Sequence, residues 1–293
     1  RSVSRLWTRQ NSGASCPAAE TPVPHRLPWA WVWLGLLLAG CANLGYYGQA
    51  VQGNLDLVAR SRDIQTLIAD PGTPAELRQR LELVLELRAF ASRELGLPDN
   101  ASYRRYADVG RPAVVWSLVA APEFSIQPHQ WCYPVIGCAS YRGYYRRRAA
   151  SRVGAELAAE GLDVAVEPVP AYSTLGWFDD PLPSTVIDWS EPDLAGLVFH
   201  ELAHQQLYFP GDSAFNEAFA SLVEQVGVER WLASRGHAQT MAEWRLMRER
   251  RSAFVELLLA SRARLQALYA LDLAPEPMRA RKAAEFARTR NVP

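Results

Sequence analysis

The chain has 293 residues, with 31 Lys+Arg against 31 Asp+Glu, 49% hydrophobic and 21% charged residues. Those proportions suit a globular protein with one good core, in one or two lobes, and exclude a disordered chain. The formal net charge is zero. Because the first forty residues contribute positively to it, the remainder is slightly acidic and offers no basic footprint for nucleic acid.

In chain order, residues 1–24 are rich in Ser, Arg and Pro and read as disordered or as lying upstream of the true start. Arg26 then precedes an apolar run from Trp29 to Leu38, closed by Ala39-Gly40-Cys41. A basic flank, a short apolar core and small residues before a cysteine describe a secretory signal of the lipoprotein type. A transmembrane anchor is the alternative, but the run falls short of the ~20 apolar residues needed to span a bilayer. Residues 1–40 are therefore expected to be removed, leaving one domain over 41–293. The similarity to a lipobox implies that Cys41 carries lipid, and Ala42 after it implies the outer membrane, facing the periplasm.

Residues 47–98 read as two helices, with apolar positions Leu55, Val58, Ile64 and Leu67, then Leu77, Leu81, Val84, Leu87 and Phe90. Pro71-Gly72 and Pro74 punctuate between them. Residues 111–190 form the β-rich part, with strands at Pro112–Ala121 and Leu162–Val169 around a helix at Tyr145–Glu160. The Arg146-Arg147-Arg148 run reads as the solvated start of that helix. Cys132 and Cys138 lie in a loop, and in an oxidising compartment they make a plausible disulfide. A second metal site is the alternative, with only His129 near in sequence to assist. The segment Tyr172–Gly176 is the candidate substrate-binding edge strand. Asp179-Asp180-Pro181 reads as a turn or as an acidic pair for a substrate amine.

From residue 191 the pattern is almost wholly helical and carries the chemistry. His200-Glu201-Leu202-Ala203-His204 matches H-E-x-x-H and uses two of only five histidines. On a helix, positions i and i+4 share a face, so both imidazoles can point at one zinc ion, with Glu201 beside them as base for a metal-activated water. Leu194, Leu197, Val198, Leu202 and Leu207 recur at helical spacing. Tetrahedral zinc still lacks one protein ligand. Leu207 and Pro210 occupy the positions where a metzincin has Gly and a third His, so a carboxylate is required: Asp212, Glu217 or Glu224. Pro210-Gly211 breaks the helix, and Asp212 or Ser213 caps a second one. His204 lies six residues before Pro210 and Glu217 six after Gly211, so an antiparallel hairpin brings the two level. Glu217 is the predicted ligand. Glu224, about 10 Å further along, falls near His200 and could orient its ring.

The run His200–Gln205, then Phe215–Ser221 and Glu224, resembles the zinc site of the gluzincin aminopeptidases. The interval of twelve residues between His204 and Glu217 is shorter than theirs, and no G-x-M-E-N-type segment is present. A closer resemblance, over nearly the whole chain after residue 40, is to bacterial lipoproteins described as putative aminopeptidases. Its matching pieces are Gly40–Tyr47, Pro134–Cys138, Tyr141–Tyr144, Ala171–Pro181 and the helix pair.

The expected fold is α+β and gluzincin-like, partly by that analogy. An N-terminal helical pair precedes a small β-sheet lobe and a mainly helical lobe (191–293) that carries the zinc helix. The expected function is peptide hydrolysis with one zinc ion, as an aminopeptidase, on a peptide or protein substrate. An envelope endopeptidase and a non-catalytic lipoprotein scaffold are the alternatives. Tyr172, Tyr269 and His237 are the candidates for stabilising the oxyanion.

Overall fold

Ser190 fixes where the central helix of this protein begins, and much of the fold is arranged to hold that helix. The computed structural model describes residues 29–133, 137–174 and 178–291, with side chains from residue 45 onward. Contacts divide the chain into Arg1–Tyr46 and Tyr47–Pro293. Most of the leader, residues 1–28, lies outside the described residues. Cys41 is on the backbone of a helix, α1 (Trp29–Arg60), but its side chain also lies outside them. No described helix is long and apolar enough to cross a membrane.

The architecture is mixed, with eight helices and three small sheets among the described residues. The region read as two helices is broken once more than expected. Strand β1 (Ser61–Asp63) separates α1 from α2 (Ile64–Ala69), and α3 (Ala75–Glu94) follows. The reason is local: Asp63 caps α2 by accepting from the Thr66 amide at 2.9 Å, and Ser61–Asp63 pairs with β2 (Arg105–Ala107). Ile64 and Leu67 are buried as expected, but in α1 Leu55 and Val58 are exposed and Leu57 is buried in their place.

Strand β3 (Val115–Pro122) is central to an antiparallel sheet between β6 (Arg142–Tyr144) and β7 (Leu162–Val169). Helix α4 (Arg147–Ala159) covers it where Gly154 meets Leu118 and Val164. The pair β4 (Trp131–Tyr133) and β5 (Gly137–Ala139) aligns Cys132 with Cys138, which are joined by a disulfide. Strand β8 (Leu182–Pro183) adds to β2 in parallel.

Helices α5 (Glu191–Gln206), α6 (Ser213–Ser234), α7 (Ala238–Tyr269) and α8 (Pro275–Arg290) complete the chain. The main core lies between α3 and α5, where Leu81, Val84 and Leu87 meet Leu194, Val198, Phe199 and Leu202, all fully buried. Each such side chain contributes about 1.5–3 kcal/mol of hydrophobic stabilisation. Phe90 packs against Phe199 and Trp231, with ring centroids 5.9 and 5.2 Å away. Gly227 lets α6 approach closely: a Cβ there would lie 2.7 Å from Phe199 and 2.8 Å from Leu95.

Candidate metal centre

Helix α5 starts at a reciprocal cap, in which the Ser190 hydroxyl accepts from the Asp193 amide and donates to the Asp193 carboxylate. The helix ends at Leu207, and Gly211 takes a left-handed φ of 87° that reverses the chain. Asp212 caps α6 by accepting from the Phe215 amide at 3.0 Å. Asn216, 2% exposed, clamps the turn: its amide donates to the Phe209 carbonyl and its carbonyl accepts from the Phe209 amide, both at 2.8 Å. The residue that fixes the turn therefore precedes Glu217 directly. Asn216→Ala is expected to leave the Phe209 amide unpaired and its carbonyl with the Asp212 amide alone, lowering stability by about 1–3 kcal/mol in urea unfolding. A loss within experimental error would count against the clamp.

The hairpin sets His204 opposite Glu217 and His200 opposite Glu224. His200 Nε2 and His204 Nε2 face each other at 3.2 Å, and the two Glu217 carboxylate oxygens lie 3.3 Å from the first and 3.5 Å from the second. Among the described residues this trio is the cluster able to hold a metal, with its donor atoms all within 4.8 Å. Two ligands at 2.0–2.1 Å from a tetrahedral zinc ion stand about 3.4 Å apart. The three separations match that edge length, and two imidazoles with one carboxylate are a zinc-type donor set, so the residues fit the ion.

The surroundings also favour a cation. Burial pulls the His200 pKa down, but its hydrogen bond to Glu224 and the charges of Glu201, Glu224 and Glu217 outweigh this and raise it. Burial and the neighbouring His200 hold His204 below the ordinary imidazole value. His200 Nδ1 lies 3.1 Å from Glu224 Oε2, leaving Nε2 for a metal, and Glu224 Oε1 accepts from Arg248 of α7 at 3.2 Å. Gly196 gives Glu224 its room, since a Cβ there would lie 3.3 Å from the Glu224 side chain. His204 Nδ1 is buried with no hydrogen-bond partner among the described residues, so the polar contacts of that ring are those of Nε2 with His200 and Glu217.

Glu201 sits one residue from the first imidazole. Burial pushes its carboxyl above the ordinary range, against the opposing pull of His200 and a hydrogen bond with Ser173. The Ser173 hydroxyl is also within hydrogen-bonding reach of Asp180 and of the buried phenol of Tyr103. Tyr103 has a φ of 61°, unusual for a residue with a side chain, and its amide donates to the Asp180 carbonyl at 2.7 Å. The loop that carries it is tied down by the fully buried Arg88, which donates to the carbonyls of Pro98, Asn100 and Ser102. From the same loop Asn100 donates to Gln205, the residue after the second histidine.

These contacts revise the substrate-binding expectations. Tyr172–Thr174 is not an edge strand, because the Asp180 carboxylate accepts from the Thr174 amide and from the Ser173 and Thr174 hydroxyls. The rest of the proposed edge, Leu175 and Gly176, lies outside the described residues. Asp180 is 4% exposed and spent on its own loop, whereas Asp179 is exposed, so the two do not form an acidic pair facing solvent. Tyr172 is exposed next to Ser173. Tyr269 packs on Phe124, and His237 lies 3.8 Å from Glu191 at the far end of α5, so neither joins the cluster. Tyr103, Ser173, Asn216 and Arg248 were not anticipated. Asn216 alone left a local signal, a side-chain amide just after a Pro-Gly turn.

A comparison with protein families finds that the model described as "Putative aminopeptidase" matches residues 45–292. No curated protein and no solved structure matches.

Proposed function

The chain belongs to the putative aminopeptidase family, and on that premise we propose that it is a zinc-dependent peptidase acting as an aminopeptidase. The observation that carries this reading is the trio His200, His204 and Glu217, with separations of 3.2–3.5 Å beside a half-buried Glu201. In this reading the trio holds one zinc ion. When bound, zinc supplies Lewis acidity, making water acidic near pH ~7 and polarising a peptide carbonyl.

The chain's own residues do the rest. Glu201 takes the proton of the attacking water and returns it to the leaving amine, a shuttle suited by a carboxyl raised above its ordinary range. The Ser173 hydroxyl, itself in contact with Tyr103 and Asp180, fixes where that carboxylate points. Glu224 holds the His200 ring in one tautomer. Tyr172 remains the candidate oxyanion donor, being exposed and adjacent to Ser173. The same reading keeps Cys41 as a lipid anchor and the cell envelope as the location, supported by the pattern of residues 26–42.

Blocking the substrate's N-terminus separates aminopeptidase from endopeptidase. Acetylation of a short peptide is expected to lower kcat/KM at least about tenfold, the loss of one charge-assisted contact. Equal hydrolysis of free and acetylated peptide would make the protein an endopeptidase.

A further inference from the structure

Beside His200 and Glu201 opens a cleft of about 580 Å³, walled by Trp189, Asp193, Leu197, Glu224 and Arg251. Its charged groups are occupied, with one exception. Asp193 accepts from Ser190 at 2.6 Å. Glu224 is shared between His200 at 3.1 Å and Arg248 at 3.2 Å, and Glu201 is hydrogen-bonded to Ser173. Arg251 is exposed on α7 and has no hydrogen bond or ion pair among the described residues. It acts on Glu224 only at longer range, and both oxygens of that carboxylate are already engaged.

Arg251 lies three residues after Arg248, on the same side of α7, and Arg248 reaches the carboxylate that touches His200. A guanidinium stays charged at any working pH and presents paired donors that match a carboxylate. Among the described residues no carboxylate lies within ion-pair distance of it.

We propose that Arg251 binds a carboxylate of the substrate, selecting short peptides that end close to the scissile bond or carry Asp or Glu there. This deepens the peptidase reading and rests on it for the word substrate, but the binding it describes can be measured without turnover.

The test uses the full zinc-loaded protein with Glu201→Gln, and calorimetric titration of three probes: Ala-Ala-Ala, its C-terminal amide, and Ala-Glu-Ala amide. At least one carboxylate-bearing probe is expected to bind about tenfold more tightly than Ala-Ala-Ala amide, and which one does so identifies the source. Adding Arg251→Ala is expected to bring that ratio to about one, and Arg251→Lys to keep part of it, as loss of a paired contact requires. Circular dichroism and zinc content confirm that both variants are folded. Equal binding of all three probes, no binding of any, or a preference that survives Arg251→Ala overturns the proposal. A carboxylate preference in a protein whose wild type cleaves no peptide would leave the Arg251 assignment standing and remove the peptidase reading.

Discussion

Replacing Glu201 by Gln is expected to cut peptide turnover about a thousandfold, within the 10²–10⁴ range that a positioned acid–base group contributes. That loss corresponds to about 4 kcal/mol of transition-state stabilisation. The substitution preserves shape and can still hydrogen-bond Ser173, so zinc content and fold should survive. In the metal-free protein stability should even rise slightly at neutral pH. Burial raises the Glu201 carboxyl, so ionising it there opposes folding, and a neutral amide removes that cost. The sign follows from the direction of the shift: a raised carboxyl favours the folded state below its unfolded pKa, and that benefit is lost as pH rises through the folded value. Turnover of the variant within about threefold of wild type would exclude Glu201 as the base, since even the weakest such group contributes about a hundredfold.

Glu217→Gln and Glu224→Gln should separate ligand from support. Glu217 offers its oxygens at 3.3 and 3.5 Å to the two imidazoles. Losing that charge removes one of three protein ligands, and zinc affinity is expected to fall by more than about a thousandfold, against the 10–100-fold typical of a residue that only orients a ligand. Glu224 touches His200 from behind, at Nδ1, and is expected to show that smaller loss. Competition with a chelator of known affinity measures both. Equal losses in the two variants would contradict the assignment, and a larger loss for Glu224 would reverse it.

The local part of this site was legible in the sequence. The helix of His200 and His204, the Pro210-Gly211 break and the cap at Asp212 are set by neighbours within a few residues, and counting along the hairpin placed Glu217. The support around it was not legible, because it comes from distant segments. Ser173 and Tyr103 approach Glu201 from loops that precede it by 28 and 98 positions, and their placement depends on Arg88 and Asp180 holding those loops. Arg248 and Arg251 arrive from α7, at positions to which the sequence assigns no part in the site. The described part of the expected edge, Tyr172–Thr174, is not a strand for a related reason. Its place ahead of the zinc helix suggests a substrate-binding edge, but the side chains of Ser173 and Thr174, together with the Thr174 amide, bond to Asp180. In the fold, alternation marks β3 and β7 but not the short β6 beside them, and the Asp63 cap divides α1 from α2 where apolar spacing alone reads one helix.

The zinc content of the purified protein tests the central claim most directly. Elemental analysis should find about one zinc per chain in the wild type, the single ion that one set of three protein ligands holds, and almost none in the folded His200→Ala/His204→Ala variant. A wild type that binds no zinc, or a double variant that retains the full amount, would contradict it.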